Sequence, residues 1–133
     1  MPIERIQPPK LSRPVAYSHI AKVTGGSIVF IAGQISVNRD GQIVGKGDFL
    51  AQAEQVFQNV TYALEAAGAD WSNVVKVVTY IPGYNAEKHR PVLAAMREKY
   101  MAPDHLPVST LLGIQQLANP DYMIEVDVIA VVD

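Results

Sequence analysis

One amphipathic helix set between two β-branched runs limits what this chain can fold into. Phe49, Ala53, Val56, Phe57, Val60, Leu64 and Ala67 recur at three- and four-residue intervals, which puts them on one helix face. Asp48 offers an N-cap oxygen, and Gly68 is the natural residue for a left-handed stop. Ahead of the helix, Ile28-Val29-Phe30-Ile31-Ala32 predicts a buried strand over Ser27 to Ile35. Behind it, Val74-Val75-Lys76-Val77-Val78-Thr79-Tyr80 predicts a strand over Asn73 to Ile81. Strand, helix and strand with short connections form a βαβ unit, which predicts a parallel pair joined by a right-handed crossover.

The flanking segments complete the pattern. The proline-rich residues 1–14 read as an extended lead-in, and residues 15–23 as a strand ended by Thr24-Gly25-Gly26. A turn at Asn38-Arg39-Asp40-Gly41 precedes a short strand over Gln42 to Val44. A second helix is expected from Lys88 to Tyr100, its start set by the tolerance of Pro91 in a first turn alone. Val92, Leu93, Met96 and Tyr100 form its apolar face, and Pro103 stops it. Two strands follow, Leu106 to Gln115 and Tyr122 to Val132, linked by a turn at Asn119-Pro120-Asp121. The fold class expected is α+β: one domain over residues 1–133, a mixed β-sheet with two helices packed on one face.

Such a sheet leaves its second face needing cover. In the last strand Ile124, Val126, Val128, Ala130 and Val132 share one side, and Met123, Glu125, Asp127, Ile129 and Val131 the other. Neither side is polar enough for water alone, and 49% of the chain is hydrophobic against 18% charged. A second copy of the chain is the simplest cover.

Several function classes fall away. The net charge is −2 and the eleven basic residues are scattered, which gives no stripe for tracking phosphates of nucleic acid. Without cysteine there are no disulfides, thiolate nucleophiles or cysteine zinc sites. The start Met1-Pro2-Ile3-Glu4-Arg5 lacks the apolar core of a signal peptide, and no apolar run approaches the ~20 residues that span a bilayer. A soluble, cytoplasmic protein with no membrane partner is expected.

Glu125 stands out because an unpaired charge inside an aliphatic strand costs several kcal/mol or shifts its pKa. It belongs to an ordered set of short motifs. These are Ala16-Tyr17-Ser18, Ile31-Ala32-Gly33-Gln34-Ile35, Glu65-Ala66-Ala67-Gly68, Val74-Val75-Lys76-Val77-Val78-Thr79, Pro107-Val108-Ser109-Thr110 and Ile124-Glu125-Val126. Together, from about Tyr17 to Val132, they resemble the RidA (YjgF) family of enamine/imine deaminases. The resemblance implies a chorismate-mutase-like fold, a homotrimer, small-molecule ligand clefts between subunits and cofactor-free hydrolysis. In deaminating relatives an arginine grips the substrate carboxylate, while a glutamate and a tyrosine place the attacking water. Glu125 and Tyr17 keep those last two roles by resemblance, and Val108 stands where the arginine would be. Ala32 replaces a small hydroxyl residue beside Gly33, Leu93 falls where several members carry asparagine, and Thr110 takes a position often held by cysteine.

The resemblance thus implies Glu125 and Tyr17 as catalytic, and Val108, Ser109, Thr110, Ala32, Gly33 and Leu93 as substrate-binding. The departures remove polar groups, so a neutral or apolar cleft is expected, with altered specificity. Blander readings stand beside these. Glu125 is equally a carboxylate satisfied by backbone or a neighbouring subunit, and Tyr17 a cleft wall. Ser109 lacks the Gly-x-Ser-x-Gly elbow of a hydrolase nucleophile. His19, His89 and His105 have no metal-ligand spacing, so no metal is expected. Arg90 or Arg13 would serve as a substitute anchor if the cleft opened toward them; a solvated helix start is the plainer role for Arg90. A non-catalytic ligand-binding or regulatory trimer is the alternative function.

Overall fold

The amphipathic stripe folds as α1, Phe49–Ala66, in a computed structural model that describes residues 2–133. Asp48 caps it by accepting from the Ala51 N–H at 3.1 Å. At the other end Gly68 takes φ +73°, and the Ala69 N–H returns to the Leu64 carbonyl at 2.9 Å. Phe57 is buried on the inner face, stacked on Trp71 with ring centroids 5.5 Å apart. The Trp71 indole N–H is satisfied by Thr61 Oγ1 at 2.9 Å, which lets the ring sit in an apolar layer. Phe57→Ala is expected to lower the unfolding free energy by about 3–5 kcal/mol, read from urea denaturation.

Strands β1 (Ile3–Ile6) and β2 (Ile20–Val23) pair antiparallel as a small two-stranded sheet. The lead-in thus contains a strand, and the strand expected from residue 15 starts only at Ile20. Arg5 on β1 fixes this sheet to the rest. Its Nε donates to the Leu106 carbonyl at 3.0 Å, and its Nη2 to the Ser72 and Val74 carbonyls at 3.1 and 3.0 Å.

The main sheet holds β3 (Ser27–Gln34), β4 (Val74–Pro82), β5 (Val108–Ile114) and β6 (Glu125–Val132) in the order β3-β6-β4-β5. β6 runs antiparallel to both its neighbours, and β4 and β5 are parallel. The βαβ expectation holds in direction and fails in adjacency. β3 and β4 are parallel, but β6 lies between them. The expected short strand over Gln42 to Val44 is a single bridge, Val37 to Ile43.

The second helix, α2, spans Ala86–Tyr100, with Asn85 as N-cap accepting from Lys88 N–H at 3.1 Å. It begins two residues before the expected start, so Pro91 sits in the second turn. The proline removes the donor that would meet the Glu87 carbonyl. Leu93 and Met96 of α2 join Val56, Val60, Leu64, Val77, Ile81, Val126 and Val128 in the core between helices and sheet. The opposite sheet face is bare: Phe30 is 75% exposed and Ile28 60%.

Candidate functional site

β6 turns Glu125 away from the helices. Ile124, Val126 and Val128 are buried in the core, so strand alternation puts Glu125, Asp127 and Ile129 on the bare face. Opposite them the β3–β6 register slips between Ile31 and Gln34. Gly33 lies in that irregularity against the Glu125 carboxylate. A Cβ at position 33 would overlap Oε2 and stand 2.8 Å from Cδ, so the absence of a side chain is what admits the acid.

The surroundings of Glu125 raise its proton affinity. Partial burial pushes its carboxyl above the ordinary range, and the Asp127 charge pushes it further. Asp127 Oδ2 accepts from the Tyr80 hydroxyl at 3.1 Å, and that bond in turn raises the Tyr80 pKa. Among the described residues the ion pairs are Lys46–Asp121 and Lys99–Glu54, so none of their cations neutralises Glu125. This sets a pH dependence. The folded state binds the proton more tightly than the unfolded chain, so stability falls as pH rises from the ordinary glutamate range through the raised folded value. Glu125→Gln is expected to flatten that decline in urea titrations repeated across the window.

The other expected residues divide between the two faces of the sheet. Val108 pairs with Lys76 and Thr110 with Val78, so both share the bare face with Glu125. Ala32 is exposed beside Gly33. Ser109 pairs with the core residue Val77 and faces the helices instead. Together with Tyr17 and Leu93 it lines a cavity of about 1200 Å³ among α2, β5 and residues 13–17. Ser18 pins that last segment to the start of β5, its N–H donating to the Pro107 carbonyl at 2.9 Å and its Oγ to Leu106 at 2.7 Å.

The cavity holding Tyr17, Leu93 and Ser109 is not neutral. Arg13, Arg90 and Arg97 line it, together with Glu87 and Glu98. Sequence reasoning passes over Arg97 as a site residue, although it lies four residues after Leu93 and seven after Arg90, on one helix stripe. Burial lowers its guanidinium pKa, and the nearby Arg90 charge lowers it further.

His89 and His19 are held by local contacts. His89 is buried, accepts from the Asn85 N–H at 2.8 Å and packs edge-on against Phe49. His19 packs edge-on to Tyr17 with ring centroids 5.2 Å apart, and its Nε2 lies 2.7 Å from the Ser12 carbonyl. Among the described residues no three His, Asp or Glu side chains gather at metal-binding distance. None of the described helices is long and apolar enough to cross a membrane.

Comparison with known proteins matches both the sequence and the architecture. Residues 10–132 fit the family model described as Endoribonuclease L-PSP. A RutC family protein of Pyrococcus abyssi is 32% identical over 124 residues, covering 91% of each chain. A 2-iminobutanoate/2-iminopropanoate deaminase of Dermatophagoides farinae is 29% identical over 129 residues, covering 96% of this chain and 95% of that one. The solved structure of the Rid-family protein YyfB from Yersinia pestis superposes with a TM-score of 0.88 at 30% identity, over 99% of this chain and 100% of that one. With a family match across most of its length and that fold in common, the chain belongs to the YjgF/RidA family.

Proposed function

We propose that this protein is a cofactor-free hydrolase of small imines or enamines, with Glu125 as the group that handles the water proton. The observation that carries the reading is the Glu125 carboxylate itself: partly buried, raised in pKa, outside both ion pairs of the described residues, and given its space by Gly33. Water adds to the iminium carbon as Glu125 takes one of its protons. The same proton then passes to the nitrogen, and the C–N bond breaks to release ammonia or an amine. As it breaks, the hydroxyl gives its remaining proton to the Glu125 carboxylate, leaving the carbonyl product, and Glu125 returns that proton to solvent. A carboxyl whose pKa is lifted toward neutrality suits these transfers. The deaminase name of the Dermatophagoides relative agrees with this chemistry.

Val108 supports altered specificity. An aliphatic side chain on the face of Glu125 offers no bidentate partner for a substrate carboxylate. Imines without a carboxylate are therefore the expected substrates. Exposed Phe30 and Ile28 support assembly through the bare face, as a homotrimer with clefts between subunits. Tyr17 and Ser109 would then reach a cleft from a neighbouring copy.

The test is a coupled ammonia assay on freshly generated imines, one series from amine oxidase and one from amino-acid oxidase, with sedimentation velocity alongside. The native trimer is expected to accelerate the first series, Glu125→Ala to lose that acceleration, and Val108→Arg to gain 2-iminopropanoate hydrolysis. A native protein inert toward every imine, with a ligand still bound, would replace this reading by the non-catalytic one that Val108 also favours.

A further inference from the structure

Two carboxylates, Glu125 and Asp127, stand two residues apart on the bare face of β6, and one tyrosine hydroxyl serves only the second. Glu125 pairs in register with Tyr80 of β4, and Asp127 with Val78. Tyr80 is therefore directly across from Glu125 and diagonal to Asp127, and an aromatic side chain on that face can reach either position. Its hydroxyl donates to the diagonal partner, Asp127 Oδ2, at 3.1 Å. Neither acid takes part in the ion pairs of the described residues.

A phenol has one proton to give, so this choice sets the two acids apart. The carboxylate that receives the bond is held in one direction, and such a bond favours its charged form. The other carboxylate is turned away: Glu125 lies against Gly33 of β3, across β6 from Tyr80. Two like groups whose surroundings differ in this way divide the roles of fixed charge and proton carrier. The remaining charged group on this face of the sheet is Lys76 of β4, which is exposed and pairs with Ile129, so it stands beyond Asp127 from Glu125. From β5 come Val108, Thr110 and Leu112, and from β3 Ile28, Phe30 and Ala32, none of them charged.

We infer that Asp127, held by the Tyr80 hydroxyl, is the positioning residue for Glu125. It touches no substrate, and its fixed charge makes Glu125 the one of the two acids that takes up and returns the proton. The inference rests on Glu125 as the acid that activates water, and it supplies that acid with its partner. Burial, and after it the Asp127 charge, holds the Glu125 carboxyl above its ordinary range, as this division of roles requires.

The experiment compares the native protein with Asp127→Asn, Tyr80→Phe and the double variant in two readouts. One is kcat/KM against pH for the imine freshly generated from butylamine by amine oxidase. The other is the titration of the Glu125 carboxyl by carbon-13 NMR, with Glu125→Gln assigning the signal. Asparagine keeps the size of Asp127 and an acceptor for Tyr80, and removes the charge. Without a like charge beside it Glu125 ionises more readily, so its titration and the acid limb of the rate profile should both move down by about half to one pH unit. KM on the plateau should stay within about twofold, because no substrate contact is lost. Tyr80→Phe should shift both curves in the native background and leave those of Asp127→Asn where they are, since the hydroxyl acts only through that carboxylate. A Glu125 titration unmoved by Asp127→Asn would overturn the inference, as would a Tyr80→Phe effect that persists in the double variant. So would a severalfold rise in KM with an unmoved acid limb, which would make Asp127 a substrate contact. A native protein inert toward imines would sink the hydrolase reading alone, because the carboxyl titration needs no turnover and still decides whether Asp127 governs Glu125.

Discussion

Gln52→Leu is expected to lower the unfolding free energy by roughly 3 kcal/mol or more, although leucine matches the space well. Gln52 is fully buried on α1 and serves three backbone groups at once. Its Nε2 donates to the carbonyls of Asp121 at 2.9 Å and Gly45 at 3.2 Å, and its Oε1 accepts from the Met123 N–H at 2.9 Å. Leucine answers none of them, and each buried group left unpaired costs about 1–3 kcal/mol. Urea denaturation reads the total. Hydrogen exchange should show the loss reaching β6, whose approach at residues 121–123 Gln52 holds in place. A decrease below about 1 kcal/mol would mean that these groups find other partners.

Gly33→Ala is expected to cut imine turnover about 100-fold while reducing stability by no more than about 1–2 kcal/mol. The added methyl must occupy space now held by the Glu125 carboxylate. That carboxylate ends a flexible side chain, so it swings aside cheaply in stability and expensively in geometry. Two readouts distinguish displacement from unfolding. The thermal midpoint should stay near that of the native protein, while the pH dependence set by Glu125 relaxes as the carboxyl moves into water. Full activity in Gly33→Ala would remove the Gly33–Glu125 contact from the mechanism.

Local signals are legible in this chain and non-local ones are not. α1 can be read to its caps because Asp48, the three-and-four stripe and Gly68 all act within one helix. The start of α2 escapes a local reading because the tolerance of an exposed proline in a second turn depends on what surrounds it, not on the residues beside it. No pattern in β6 says that it lies between β3 and β4, since a strand with one aliphatic and one mixed face pairs equally well at an edge or a centre. Glu125 draws attention as a charge among aliphatics. Its contact with Gly33 needs the slipped register of β3, which depends on pairing between strands far apart in the chain. Arg97 hides for the opposite reason: a charged residue on a helix reads as solvated until a second wall is brought against it.

The central place of β6 bears on how the chain is made. β3 on one side and β4 with β5 on the other have no strand contact except through β6, the last of the described elements. At about 5–20 residues per second of synthesis, most of the other elements exist for several seconds before the strand that joins them. During that interval β3 and β4 each present an unpaired, aliphatic border, the kind that recruits foreign strands. A chain cut short before Glu125 would lose more than its acid. It would leave the ribosome with β3 as a lone strand and β4 with β5 as a pair with a sticky border, a substrate for chaperones and proteases rather than a weakened version of the protein.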